Sequence, residues 1–300
     1  MPSRFVSFAA VTAVSLGMAG MSTAAATAAG AGSTATAPVA DSVGTAAVGA
    51  NAINWQRVYR HNFTDMKSVV AFQTGSTVNG QIRPDDNTTQ ELQKPVVKSL
   101  VSIVTDSSAE DGKALSVNTR KTNFQTPTGT RYGWANGRMM LYGHNQAPPV
   151  KIKARIKMTP SVMVKSAVMW WPASGGWKWE VDFAETFGGD SLTSYWGSRK
   201  HVSQRWHADL NGDGQAREQL IKNLWVNAAK WHVYELTITP TKMSVAIDGV
   251  ERYATTDQRF IPKDAGFFSI GKALSHVRSD PSRTNDSVYV DYVEFSRPAA

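Results

Sequence analysis

From Val150 to Met158 apolar and basic residues alternate without interruption, as Val-Lys-Ile-Lys-Ala-Arg-Ile-Lys-Met. A period of two puts Val150, Ile152, Ala154, Ile156 and Met158 on one side of an extended chain and the basic side chains on the other, the pattern of a strand with one buried face. The rule recurs at Met243, Val245 and Ile247, which alternate with Lys242, Ser244, Ala246 and Asp248; Asp248-Gly249 then supplies hairpin-turn chemistry before Val250–Tyr253. Trp231–Thr239 and Val288–Phe295 are further β-branched and aromatic runs, and Gly, Pro, Asn and Asp punctuate the intervals. Few segments carry a helical period, and no repeat of fixed length argues for a propeller or solenoid. The chain is predicted to be all-β, folded as a sandwich.

That sandwich does not need all 300 residues. Arg4 precedes an apolar stretch, Phe5 to Met21, and then small residues with Ala-x-Ala sites near Ala24 to Ala28, which is the layout of a secretory signal peptide over residues 1–28. The stretch is interrupted by Ser, Thr and Gly and is short for a membrane span, so no membrane attachment is expected once it is removed. Residues 29–50 are almost wholly Ala, Gly, Thr, Ser and Val, a flexible spacer. Residues 51–300 remain as one domain, large enough to bury a core without covalent staples, so the lack of cysteine is compatible with a secreted protein and removes thiol chemistry. The net charge of +8 suits an acidic partner or simply solubility. The aromatics form no nucleic-acid motif, so an extracellular polysaccharide is the expected partner of a monomeric domain.

One segment concentrates chemistry: Trp179-Glu-Val-Asp-Phe-Ala-Glu-Thr186. Glu180 and Asp182 share a strand face, with Val181 and Phe183 opposite. Glu185, five residues after Glu180, would point away unless a β-bulge near Ala184 returned it to their side. Three converging carboxylates suit glycosidic bond cleavage, where one carboxyl protonates the leaving oxygen and another attacks or activates water. Their mutual repulsion and burial raise the pKa of at least one. Aromatics surround them: Met169-Trp-Trp-Pro172 and Gly175-Gly-Trp-Lys-Trp179. Sugar rings stack on such surfaces, and Trp170, Trp177 and then Trp206 are the candidates for substrate contact; Trp231, on a strongly alternating strand, reads as core.

Glu180-Val-Asp-Phe-Ala-Glu185 resembles the Glu-x-Asp-x-x-Glu signature of glycoside hydrolase family 16 in its bulged, laminarinase-like form. Lys153–Met158, Ala167–Pro172, Trp231–Tyr234, Thr239–Lys242, Asp248–Val250 and Tyr289–Val293 resemble the family's other strands in the expected order, over most of Trp55 to Phe295. The resemblance implies a two-sheet jelly roll of the concanavalin A-like type with a substrate cleft on its concave sheet. It implies Glu180 as nucleophile, Glu185 as acid/base and Asp182 as the helper that orients Glu180, in a retaining mechanism. It also places His207, in Trp206-His207, near the acid/base.

The departures bear on the substrate. Trp179 stands where the family has a small residue and could narrow the cleft; Lys178 replaces a proline, and Lys153 replaces an acidic residue, which would make the cleft more basic. β-1,3-Glucan is the default substrate, with an anionic polysaccharide as the alternative. The chemistry requires no cofactor or metal. A structural calcium away from the cleft is implied by the resemblance, with Asp291 a contributor; Asp209–Gln215 looks like the start of a calcium loop, but Leu220 occupies its closing position, which favours a plain turn. The competing classes are a carbohydrate-binding protein without catalysis, which would need no paired acids, and a lyase, which would need a Tyr or His base instead.

Overall fold

The computed structural model describes residues 53–71, 77–78, 81–82, 96–125, 129, 131–141, 143–159, 164–174, 177–186, 201–274 and 286–299. The expected signal peptide and spacer lie outside them. Strands β1 to β6 are Trp55–His61, Val69–Ala71, Thr77–Val78, Gln81–Ile82, Val101–Thr105 and Lys113–Gln125. Strands β7 to β12 are Arg131–Asn136, Met139–Leu141, Val150–Thr159, Val164–Pro172, Trp179–Thr186 and His201–Ala208. Strands β13 to β18 are Glu218–Trp225, His232–Ile238, Met243–Ile247, Val250–Thr255, Gly266–Leu274 and Asp286–Pro298.

Strands β3 and β4 pair only with each other, and the other strands form a two-sheet jelly-roll sandwich, as the alternation predicts. One sheet runs β16-β15-β14-β9-β18-β6-β5, with β1 also on β18 and β7 also on β6; the other runs β13-β12-β11-β10-β17-β8-β2. Strand β9 buries Val150, Ile152, Ala154, Ile156 and Met158 against the second sheet and leaves its basic side chains outside. Lys151 and Lys153 there reach Glu235 of β14 at 2.9 and 3.5 Å. Lys153 therefore belongs to the face opposite the carboxylate sheet and does not make the site basic. The β15–β16 hairpin turns at Asp248-Gly249, whose φ values of 51° and 80° are both positive, as the tight turn matching strand twist requires.

Tyr234, Leu236, Val245 and Phe295 from the first sheet meet Val168, Trp170, Val181, Phe183, Trp206 and Phe268 from the second. Each large side chain buried this way contributes about 1.5–3 kcal/mol of hydrophobic stabilisation. Trp170 packs with its ring centroid 6.4 Å from that of Phe295, and Trp206 lies 4.4 Å from Tyr253; both are 0% exposed. They are core residues, and their assignment to sugar stacking is corrected. Trp179 is also in the core, so it does not narrow a cleft. It and Trp170 close over Gly266, where an added Cβ would sit 2.6 Å from both indoles.

Trp231 departs in the other direction. The buried parity of β14 is even, through Tyr234, Leu236 and Ile238, so Trp231 stays half-buried outside the core, under Arg155 and Lys157 at 4.9 and 4.8 Å. Arg155 also pairs with Asp291, whose carboxylate accepts the Glu110 amide at 3.1 Å. An Asp291 committed to a guanidinium and an amide does not fit a calcium ligand. In the second candidate loop Asp209 turns its oxygens to the amides of Gly212, Asp213 and Gly214 at 2.7, 3.1 and 2.7 Å, which makes it a side-chain-capped turn. No group of three or more His, Cys, Asp or Glu among the described residues is arranged to hold a metal ion.

Candidate active site

Strand β11 lies between β10 and β12 in the middle of the second sheet. On the β10 side Val168 pairs with Ala184 and Met169 with Asp182, so Phe183 is an extra residue. On the β12 side Arg205 pairs with Asp182 and Ser203 with Glu185. The bulge absorbs the odd spacing: Val181, Phe183 and Ala184 go to the core, and Glu180, Asp182 and Glu185 all face away from it. The three acids are nonetheless covered, with exposures of 5%, 0% and 0%.

Each acid has a different neighbour. The Trp177 Nε1–H donates to Glu180 Oε2 at 2.7 Å. Trp177 is positioned by its own backbone, which bridges to Gln215 and accepts the Ala216 amide at 2.7 Å. His207, opposite Glu180 on β12, directs Nε2 toward Asp182 Oδ2 at 3.7 Å and Nδ1 toward the Ala216 carbonyl at 3.3 Å. Glu185 is held by Lys165 Nζ at 2.7 Å and Arg205 Nε at 3.1 Å. His207 thus stands beside Asp182 and across from Glu180, and the charge of Glu185 also acts on it.

Burial, then the charges of Glu180 and Glu185, push Asp182 well above the ordinary carboxylate range, and Lys165 offsets only part of this. Burial likewise lowers His207 below the ordinary histidine value, against the pull of Glu180 and Glu185. Burial opposes the charge of Lys165 too, yet Glu185, Asp182 and Glu180 together hold it above the ordinary lysine value. The site therefore favours the protonated form of Asp182, the neutral form of His207 and the charged form of Lys165.

The raised Asp182 has a consequence for stability. The folded state retains the Asp182 proton at pH values where the unfolded chain has lost it, so its contribution is complete below the unfolded pKa of about 3.9 and is lost as pH rises through the higher folded value. Asp182→Asn is expected to flatten this decline, so that the variant's melting temperature relative to wild type increases with pH across that window. Parallel melting curves from pH 4 to 9, a window spanning roughly the carboxylate to thiol range, would contradict a raised Asp182.

Of the predicted binding residues, the structure brings Trp177 and His207 to the acids and leaves Trp170 and Trp206 in the core. It adds Lys165 and Arg205. Arg205 is two residues before His207 and so shares its face, a signal available from strand parity. Lys165 carries no such signal, because its nearness to Glu185 arises from the pairing of β10 with β11. Trp171, half-buried and of opposite parity to Trp170, lies on the carboxylate face in place of its neighbour.

The chain is thus a two-sheet jelly roll with three carboxylates on the outward face of β11. Among solved structures, the chain is similar to the endo-β-1,3-glucanase of Pyrococcus furiosus, with TM-score 0.63 and 14% identity over 83% of this chain and 96% of that one. It is similar to the catalytic domain of the Thermotoga petrophila laminarinase, with TM-score 0.63 and 15% identity over 83% and 100% of the two chains. A Bacteroides ovatus glycoside hydrolase family 16 protein in complex with a G4G4G3G product aligns with TM-score 0.58 and 17% identity over 79% and 99%. The chain has a glycoside hydrolase family 16-like fold. No family model and no curated protein matches its sequence.

Proposed function

We propose that the protein is a secreted, endo-acting, retaining β-glycosidase with β-1,3-glucan as its default backbone. The observation that carries this reading is the Phe183 bulge, which collects Glu180, Asp182 and Glu185 on one face. The glucanases among its structural neighbours favour the substrate.

In this mechanism Glu180 is oriented by the Trp177 N–H and attacks the anomeric carbon. The glycosidic C–O bond breaks as Glu185 gives its proton to the departing oxygen. Asp182 lies on the same face as Glu180, and burial, which favours its protonated form, limits the repulsion among the acids. Water then loses a proton to Glu185 and attacks the glycosyl ester, which frees Glu180 and gives product of the starting configuration.

The test is reducing-sugar release from a panel of neutral and acidic β-glucans and β-galactans, with the anomer formed first identified by proton NMR. Release of oligosaccharides in the β configuration is expected. An α product would replace the double displacement by inversion, whereas binding without release would make the site that of a lectin.

A further inference from the structure

The nucleophile of the proposed reaction takes a hydrogen bond from a residue outside the regular strands. Trp177 precedes β11 and donates its Nε1–H to Glu180 Oε2 at 2.7 Å. An indole orients a carboxylate only as well as its own backbone is held, and the backbone at Trp177 is held by the turn between β12 and β13, residues Asp209 to Arg217. At the two ends of that turn, the Asp209 amide donates to the Lys178 carbonyl at 2.9 Å and the Ala216 amide to the Trp177 carbonyl at 2.7 Å. Trp177 also bridges to Gln215. Ala216 is 0% exposed, so its bond to Trp177 is shielded from water.

A single carboxylate shapes the turn. Asp209 Oδ1 accepts the amides of Gly212 and Asp213 at 2.7 and 3.1 Å, and Oδ2 accepts that of Gly214 at 2.7 Å. Gly212 and Gly214 have φ values of 77° and 81°, where a side chain would be strained, and this lets three successive amides converge on one acid. The Ala216 carbonyl, 3.3 Å from His207 Nδ1, ties the end of the turn to the residue across from Glu180 on β12. The bonds run continuously from Asp209 to Glu180: carboxylate to turn, turn to the Trp177 backbone, indole to nucleophile. Resting on the glycosidase reading above, we infer that Asp209 is a positioning residue for Glu180, acting through the β12–β13 turn and Trp177.

The reaction is sensitive to this positioning. A carboxylate attacks an anomeric carbon only within a narrow range of distance and direction, and a displacement of about 1 Å can cost roughly a hundredfold in rate. Removing the Asp209 carboxylate leaves the amides of Gly212, Asp213 and Gly214 without their acceptor and lets the turn relax. The Trp177 backbone then loses its fixed partners, and the indole its alignment with Glu180. Such a loss acts on the attacking step, so it lowers kcat and leaves KM near its wild-type value.

The experiment is a double-mutant cycle on the full chain, with the polymer of the panel above that the wild type cleaves fastest. Asp209→Ala is expected to lower kcat about tenfold to a hundredfold and to change KM by less than about threefold. In the Trp177→Phe background, which has no indole donor, the same substitution should lower kcat by less than about threefold, because the path to Glu180 is already cut. Asp209→Asn, which keeps an oxygen for Gly212 and Asp213, should retain more activity than Asp209→Ala. Thr239→Val uncaps the turn between β14 and β15 and controls for lost stability; it should lower Tm and leave kcat unchanged. The Trp177 indole N–H resonance, assigned by its absence in Trp177→Phe, should exchange with solvent about tenfold faster in Asp209→Ala, the scale of one lost hydrogen bond. An equal loss of kcat in both backgrounds would make Asp209 a merely structural residue and overturns the inference, with the glycosidase reading intact. Indole exchange unchanged by Asp209→Ala overturns it whatever the activity. Failure of the wild type to cleave any polymer overturns the glycosidase reading and the inference with it.

Discussion

Glu180→Gln is expected to lower kcat by at least about 10,000-fold, the loss typical of a covalent nucleophile replaced by an isosteric neutral group. The amide preserves the volume and can still meet the Trp177 N–H through its carbonyl, so the fold and the neighbouring acids should persist. It cannot displace a glycosidic oxygen. Stopped hydrolysis with unchanged melting would separate chemistry from stability, and retained oligosaccharide binding in calorimetry would separate it from recognition. The smaller Glu180→Ala vacates space on the nucleophile's side, where azide can attack; an α-glycosyl azide product would locate the lost function at that carboxylate. Glu180→Gln retaining a tenth of the wild-type rate, on roughly the scale of a lost hydrogen bond, would remove Glu180 from the nucleophile role.

The other large effect concerns stability. Lys272 of β17 and Asp286 of β18 are both 0% exposed at the side chain and form an ion pair linking the two sheets, closed by Ser166 at 3.0 Å from the ammonium and 2.9 Å from the carboxylate. Burial lowers the Lys272 pKa, and Asp286 opposes that shift by favouring the charged form. Lys272→Met is expected to destabilise the fold by about 3–5 kcal/mol, because it withdraws the cation from a fully buried carboxylate. Urea unfolding followed by tryptophan fluorescence measures the loss. The Lys272→Met/Asp286→Leu double variant should recover most of it, since replacing both ions removes the uncompensated charge. A single-variant loss below about 1 kcal/mol, the range of an exposed pair, would show that the pair carries little energy.

The two effects separate catalysis from architecture at closely spaced positions. Ser166 and Lys165 are adjacent on β10 but point to opposite faces, Ser166 into the sandwich with Lys272 and Lys165 outward to Glu185. One strand thus contributes to the interior ion pair and to the grip on the proposed acid/base. Parity explains the division.

Much of this organisation was legible in the residues. Alternation over Val150–Met158 announced β9 and its buried face, Asp248-Gly249 announced a hairpin, and the five-residue separation of Glu180 and Glu185 called for the bulge that Phe183 provides. These are local properties: side-chain parity and turn conformation depend on neighbours in the chain. The tryptophans were less legible, because an indole is equally suited to a core and to a sugar face. Trp170 and Trp206 went inside through the parity of strands whose outward faces hold Trp171 and Arg205.

The amino-acid sequence by itself determined the strands, their buried faces and the carboxylates brought to one side by a bulge. Only the tertiary structure decided that Lys165 and Arg205 flank Glu185, that His207 stands beside Asp182, that Arg155 pairs with Asp291, and that Lys272 meets Asp286 between the sheets. Those contacts depend on which strands become neighbours and in what register, a choice made by the packing of the whole sandwich. Strand periodicity says which side a residue faces; it does not say what it will face.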